Sequence, residues 1–240
     1  MQEYKFNYFH YKKKIHKANK ISISLIFVSI IILLSCVTIL KPTSTKEINF
    51  YFIEVGNFNT YKEANKLASN LQTQNAAGYI YFDKTYHVIA NYYLTIEDAQ
   101  KVCNNIKETY SNAKVYTLTT TYNKKTNKIK EESKLITSIT NSLFDFINTL
   151  TQISVSIDKN EISTNQAQIK INDINNLFNT SLNDLKNNTN NKTFEIYNKN
   201  LKNIKNSLKN LTNSTNLEQN FKFYLVDIVI NFSSFLDYSS

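Results

Sequence analysis

Tyr51–Leu67 (YFIEVGNFNTYKEANKL) and Tyr86–Val102 (YHVIANYYLTIEDAQKV) align without a gap, and their reading decides the fold. Tyr51 falls on Tyr86, Thr60 on Thr95, Ala64 on Ala99 and Lys66 on Lys101, with Glu63 over Asp98, Phe58 over Tyr93 and Gly56 over Asn91. The chain thus writes one βα unit twice. Thr60 and Thr95 stand where a helix N-cap is needed, and acids follow in the first turn, where the helix dipole favours them. Gly takes φ > 0 freely and Asn tolerates it, so the aligned pair Gly56/Asn91 predicts a left-handed kink leaving each strand.

Periodicity fills in the rest of this region. Phe50–Val55 alternates as a strand, and Tyr61–Gln72 carries Ala64, Leu67, Ala68 and Leu71 on one helical stripe. Ala77–Phe82 is a second strand, with a tight turn at Asp83 and Lys84. Tyr86–Ala90 is the third strand, Ile96–Tyr110 the second helix and Ala113–Leu118 the fourth strand. The order βαββαβ with right-handed crossovers gives an α+β, ferredoxin-like module. Its four-stranded antiparallel sheet has both helices on one face and leaves the other open.

Residues 50 to 118 resemble the SPOR (sporulation-related repeat) domain family. Tyr51-Phe52-Ile53-Glu54-Val55-Gly56-Asn57-Phe58 and Ala64 to Leu67 fit its first copy, an aromatic, a V-Q-V-G-like strand, S/N-F and a helix with A-x-x-L. Tyr86-His87-Val88-Ile89-Ala90-Asn91-Tyr92-Tyr93 stands for its second, Y-R-V-x-V-G-P-F, with His87 for the frequent Arg, Asn91 for Gly and, in the first copy, Glu54 for Gln. The resemblance implies binding to peptidoglycan glycan strands that lack stem peptides. The residues support a sugar ligand independently. If Ile53, Val55, Val88 and Ala90 point into the helices, alternation puts Phe52, Glu54, His87 and Ile89 on the open face. Tyr79 and Tyr81, or else Ile80 and Phe82, extend that face from the second strand. Aromatics suit the apolar faces of pyranose rings, and the polar groups suit their hydroxyls.

After a polar connector the pattern changes to long helical periods. Leu135, Ile136, Ile139, Leu143, Phe146, Ile147, Leu150 and Ile153 make one stripe; Ala167, Ile171, Ile174, Leu177, Phe178, Leu182 and Leu185 a second. Phe194, Tyr197, Leu201, Ile204, Leu208 and Leu211 make a third, and Leu217, Phe221, Tyr224, Leu225, Ile228, Phe232 and Phe235 a fourth. Four amphipathic helices joined by Asn/Ser/Thr-rich breaks predict an antiparallel bundle.

Ahead of the sheet, Ile21–Leu40 is a run of twenty residues without a charge, enough at about 1.5 Å per residue to cross a hydrocarbon core of about 30 Å. Lys5, Lys12, Lys13, Lys14, Lys17 and Lys20 precede it against Glu3, which orients a signal anchor with its N-terminus in the cytoplasm. The competing reading is a lipoprotein signal, because Leu33-Leu34-Ser35-Cys36 resembles a lipobox. The organisation expected is therefore a tail over 1–20, a transmembrane helix over 21–40, a linker over 41–47, a SPOR-like module over 48–120, a linker over 121–128 and a bundle over 129–240. It is similar to that of stage II sporulation protein B-like membrane proteins and places the bulk of the chain outside the cell membrane.

The net charge of +9 does not form a dense basic face, since residues 48–120 hold six Lys against six acids, which argues against nucleic acid. With two Gly there is no phosphate loop, and no metal spacing or catalytic set emerges, so no cofactor, metal or enzymatic role is expected. Cys103 falls on an apolar helical stripe and is expected to be free and buried. The expected function is attachment to septal peptidoglycan in division or sporulation. The alternatives are an envelope assembly scaffold whose bundle binds a protein partner while the sheet packs against it, or a lipoprotein anchored at Cys36.

Overall fold

The computed structural model describes residues 46–122, 130–189 and 191–238, which belong to one compact unit. Residues 21–40, and Cys36 with them, lie outside these. Among the described residues no helix is long and apolar enough to cross a membrane.

The elements are β1 (Lys46–Phe58), α1 (Tyr61–Thr73), β2 (Tyr79–Asp83), β3 (Thr85–Tyr93), α2 (Ile96–Ile106) and β4 (Lys114–Tyr122), followed by α3 (Lys130–Asp158), α4 (Thr164–Asn188), α5 (Asn191–Thr212) and α6 (Leu217–Tyr238). The sheet is antiparallel in the order β2-β3-β1-β4, as the βαββαβ reading requires. Both repeat helices start alike. Thr60 Oγ1 accepts from the Glu63 N–H at 3.3 Å and Thr95 Oγ1 from the Asp98 N–H at 3.1 Å, and each hydroxyl donates to the same acid's carboxylate. β1 and β4 run longer than periodicity indicates because they pair with each other out to Lys46 and Tyr122, which draws Thr121 and Tyr122 from the expected linker into the sheet.

The kink at Gly56 and Asn91 is not left-handed. Among the described residues, positive φ occurs at Asn75, Lys84, Asn160 and Gly78. What the two copies share is a register shift. Along β1·β3, Ile53 pairs with Asn91, Glu54 with Ile89 and Gly56 with Val88, so Ala90 and Val55 are passed over, each one residue before the aligned Asn and Gly. An extra residue exchanges the faces beyond it. Phe58 and Tyr93 therefore turn under the helices, while Tyr92 joins the opposite face. Gly56 is needed for space instead, since a Cβ there would lie 2.7 Å from the Phe58 ring and 2.8 Å from Leu67 Cδ2. The glycine that needs φ > 0 is Gly78, at +54°, where a Cβ would also meet the Ala68 carbonyl oxygen at 2.2 Å.

The described members of the stripes expected for the bundle form its core, with one exception. Leu177 turns outward and is 59% exposed, while its neighbour Phe178 is buried. α4 opens with a capping box in which Ser163 and Gln166 satisfy each other's backbone N–H groups. α6 differs from the other three helices. Beyond its expected stripe it buries Val226, Val229 and Leu236, so it is apolar nearly all round. A helix of that kind is covered on every side, and α6 is covered because it packs on α3 and α5 with one side and on the sheet with another.

This packing overturns the expectation of an open sheet face. Phe50, Phe52, Ile89 and Tyr92 share one continuous core with the bundle, and the Phe50 ring meets Phe232 edge-on at 6.0 Å. The edges of the contact are polar. On the β2 side Tyr79 Oη donates to Asp227 Oδ1 at 2.8 Å, and the other carboxylate oxygen accepts from Ser207 Oγ of α5. On the β4 side the buried Thr120 hydroxyl donates to Asp237 Oδ1 and lies 3.4 Å from the Ser233 carbonyl. Burial of a large apolar side chain contributes about 1.5–3 kcal/mol, so exposing these four together would cost roughly as much as the whole binding free energy of a micromolar ligand, about 8 kcal/mol. α6 is an integral layer of the fold.

Candidate functional site

Strand alternation places the residues on the expected faces. Ile53, Val55, Val88 and Ala90 pack under α1 and α2, and Phe52, Glu54, His87 and Ile89 lie opposite. Of the two possible pairs on β2, Tyr79 and Tyr81 join that opposite face, while Ile80 packs with the helices and Phe82 is exposed against Tyr86. α6 then divides the face into two ends. Phe52, Ile89 and Tyr79 fall at the covered end, Phe52 and Ile89 each being 1% exposed. Tyr79 is held by Asp227 and packs its ring on Phe223 at 5.2 Å.

Glu54, His87 and Tyr81 fall at the other end, where they form a set with Tyr116 and Lys114 of β4. The ring centroids of Tyr81, His87 and Tyr116 stand 5.0 to 6.1 Å apart, a compact triangle of tilted rings. Glu54 lies beneath them, 2% exposed, and a buried carboxylate needs partners. It has two. His87 Nδ1–H donates to Oε2 at 2.8 Å and Lys114 Nζ reaches Oε1 at 3.1 Å. The Glu54 carboxylate can only accept, which puts the proton on Nδ1, and Thr85 Oγ1 lies 3.3 Å from the other ring nitrogen, Nε2. His87 is therefore a strut and a ring in the platform more than a free polar contact. Tyr81 and Tyr116 are partly buried, and the Lys114 side chain is 58% exposed.

The phenols stay neutral. Burial raises Tyr116 first, then the neighbouring Tyr81, Asp83 and Glu54, to about 12. Tyr81 is raised by burial first, then by Asp83 and Asp237. The site thus offers neutral hydroxyls, the part-exposed rings of Tyr81 and Tyr116 over a buried His87, and one cation. That set can stack a sugar ring and bond its hydroxyls. Among the described residues no group of His, Cys, Asp and Glu is arranged to hold a metal ion.

Tyr116 and Lys114 escaped the sequence reading, which followed the central strands and β2. The signal was available on β4, where Lys114, Tyr116, Leu118 and Thr120 alternate onto the face of Phe52 and Glu54. Residues 48–117 match the family model of the SPOR domain, a peptidoglycan-binding module, so that the match runs from β1 to β4 and takes in both α1 and α2. No curated protein and no solved structure matches the chain.

Proposed function

We propose, on the premise that residues 48–117 are a SPOR domain, that the chain attaches to peptidoglycan by binding glycan strands without stem peptides on the Tyr81–His87–Tyr116 end of its sheet. The observation that carries this reading is the pair of part-exposed tyrosines at the end of the face away from α6, set over Glu54 and its partners His87 and Lys114. The SPOR domain is a binding module and not a catalytic one, which fits a site of rings and hydroxyls. Sedimentation of the full-length chain with amidase-treated peptidoglycan is the test. Tyr116→Ala and Tyr81→Ala should each weaken it by roughly tenfold, about 1.4 kcal/mol, while the circular dichroism spectrum is kept. Equal sedimentation of parent and both variants would sink the assignment.

The chain is read as a single-pass protein of the cell membrane, acting at the septum in division or sporulation. The uncharged run Ile21–Leu40 behind six Lys supports the span and its orientation. Protease added to protoplasts should remove the residues beyond Leu40 and spare the tail. Mature protein that begins at Cys36 with diacylglycerol attached would replace the span with a lipid anchor.

A second reading, an envelope assembly scaffold, is favoured by one feature of the bundle. Ile169 and Leu177, two turns apart on α4, are 62% and 59% exposed. Replacement of both by Lys should abolish capture of an envelope partner and leave glycan sedimentation unchanged if the bundle is the docking part.

A further inference from the structure

We infer that α6 is a fixed stop on the ligand face, so that this chain takes a short saccharide segment on its ring triangle instead of a strand laid along the whole sheet. The inference rests on the glycan reading above.

The covered end is closed in three ways at once. Phe232 sits on Phe50, Tyr79 is tied to Asp227 at the β2 edge, and Thr120 is tied to Asp237 and Ser233 at the β4 edge. Asp227 is also bonded to Ser207 of α5, so α6 is anchored to the bundle at the very residue that meets the sheet. Phe52 and Ile89, apolar groups on the two central strands, have no surface left for a sugar ring while the helix is seated.

The uncovered end has a definite limit. The triangle of Tyr81, His87 and Tyr116, with sides of 5.0 to 6.1 Å, is about as large as one pyranose and its substituents. Lys114 stands at its rim, and a glycan that grows past the triangle toward the covered end meets α6 where Tyr79 and Thr120 tie it to the sheet. Additional sugars therefore add little contact, and affinity per fragment levels off at short length.

The test titrates the full-length chain, in mild detergent, with glycan fragments of two, four and eight sugars prepared from amidase-treated peptidoglycan. The expected result is that affinities, corrected for the number of equivalent positions, agree within about threefold across the series. A rise of more than tenfold from two sugars to eight would overturn the inference. The second arm locks the helix with Thr120→Cys and Ser233→Cys in a Cys36→Ser background, and compares oxidised with reduced protein. Equal binding supports a stop, and binding in the reduced form alone would show that α6 lifts to admit the strand. The length series uses the unmodified protein, so it decides the matter even if the double variant does not fold. Absence of binding to any fragment, by protein whose circular dichroism is intact, would remove the glycan reading and this inference together, an outcome distinct from either positive pattern.

Discussion

The two faces of this sheet are finished in different materials. Toward α1 and α2 the buried contacts come from Ala64, Ala68, Ala90, Cys103 and Ala113 with Ile53, Val55 and Val88 between them. Toward α6 they come from Phe50, Phe52, Ile89 and Tyr92 against Phe232 and its neighbours. Small residues let backbones approach closely, and the first face accordingly contains both glycines whose added Cβ would collide with something. Large rings specify the second face through edge contacts, and its polar ties bridge residues 148 and 117 positions apart. One face is closed by its own repeat and the other by a helix far along the chain. A sheet that looks autonomous by its motif can thus depend on an element outside that motif.

The largest effect should come from breaking the second face. Phe232→Ala is expected to lower stability by about 3–5 kcal/mol in urea unfolding and to keep one cooperative transition. Two separated transitions in the parent protein would show instead that sheet and bundle are independent domains. Next comes the first face, where Gly56→Val should cost about 1–3 kcal/mol by overpacking against Phe58 and Leu67. Leu67→Ala should recover part of that loss in a double-mutant cycle, whereas no recovery would point to backbone strain. A smaller loss, about 1 kcal/mol, is expected for Tyr79→Phe, since Asp227 keeps its bond from Ser207. A loss of zero would mean that the β2 edge tie is ornamental.

The remaining effect is a pH dependence. Tyr116 is raised in the folded state from its ordinary value of 10.0 to about 12, chiefly by burial. A raised phenol contributes stability that is fully present below about pH 10 and is lost as pH climbs to about 12. Tyr79 and Tyr92, raised further by the burial that α6 completes, extend the loss to higher pH. Unfolding free energy should therefore fall as pH rises from about 10 to about 12, and less steeply in Tyr116→Phe. Identical slopes in parent and variant would locate the titration elsewhere.

Most of the first face was legible in the sequence. Strand alternation, the Thr60 and Thr95 caps and the small-residue helical stripes are local signals, and local geometry obeyed them. The shift at Val55 and Ala90 was visible as an alignment of Gly56 with Asn91, but two mechanisms share that signature, and only the backbone geometry separates a register shift from a left-handed residue. The candidate site is legible by face and not by exposure. Alternation tells which side a residue takes and is silent about what lies on top of it. A hint existed in Phe221 to Leu236, where Val226, Val229 and Leu236 break the single stripe that a bundle helix needs. Leu177 gave no such hint, because a stripe position and an outward one look alike when Phe178 is adjacent.

The distance along the chain between the aromatic face and its cover also has a consequence for synthesis. At about 5–20 residues per second, the interval between Tyr92 and Phe232 lasts on the order of ten seconds. Until α6 arrives, any part of the sheet that has already formed would display Phe50, Phe52, Ile89 and Tyr92 to whatever is nearby. A nascent sheet in that condition is adhesive. Its safe passage requires either a chaperone that shields rings until the last helix emerges, or a sheet that stays unformed until then. Ribosome-stalled chains halted before and after α6 would differ in chaperone crosslinking at those four side chains.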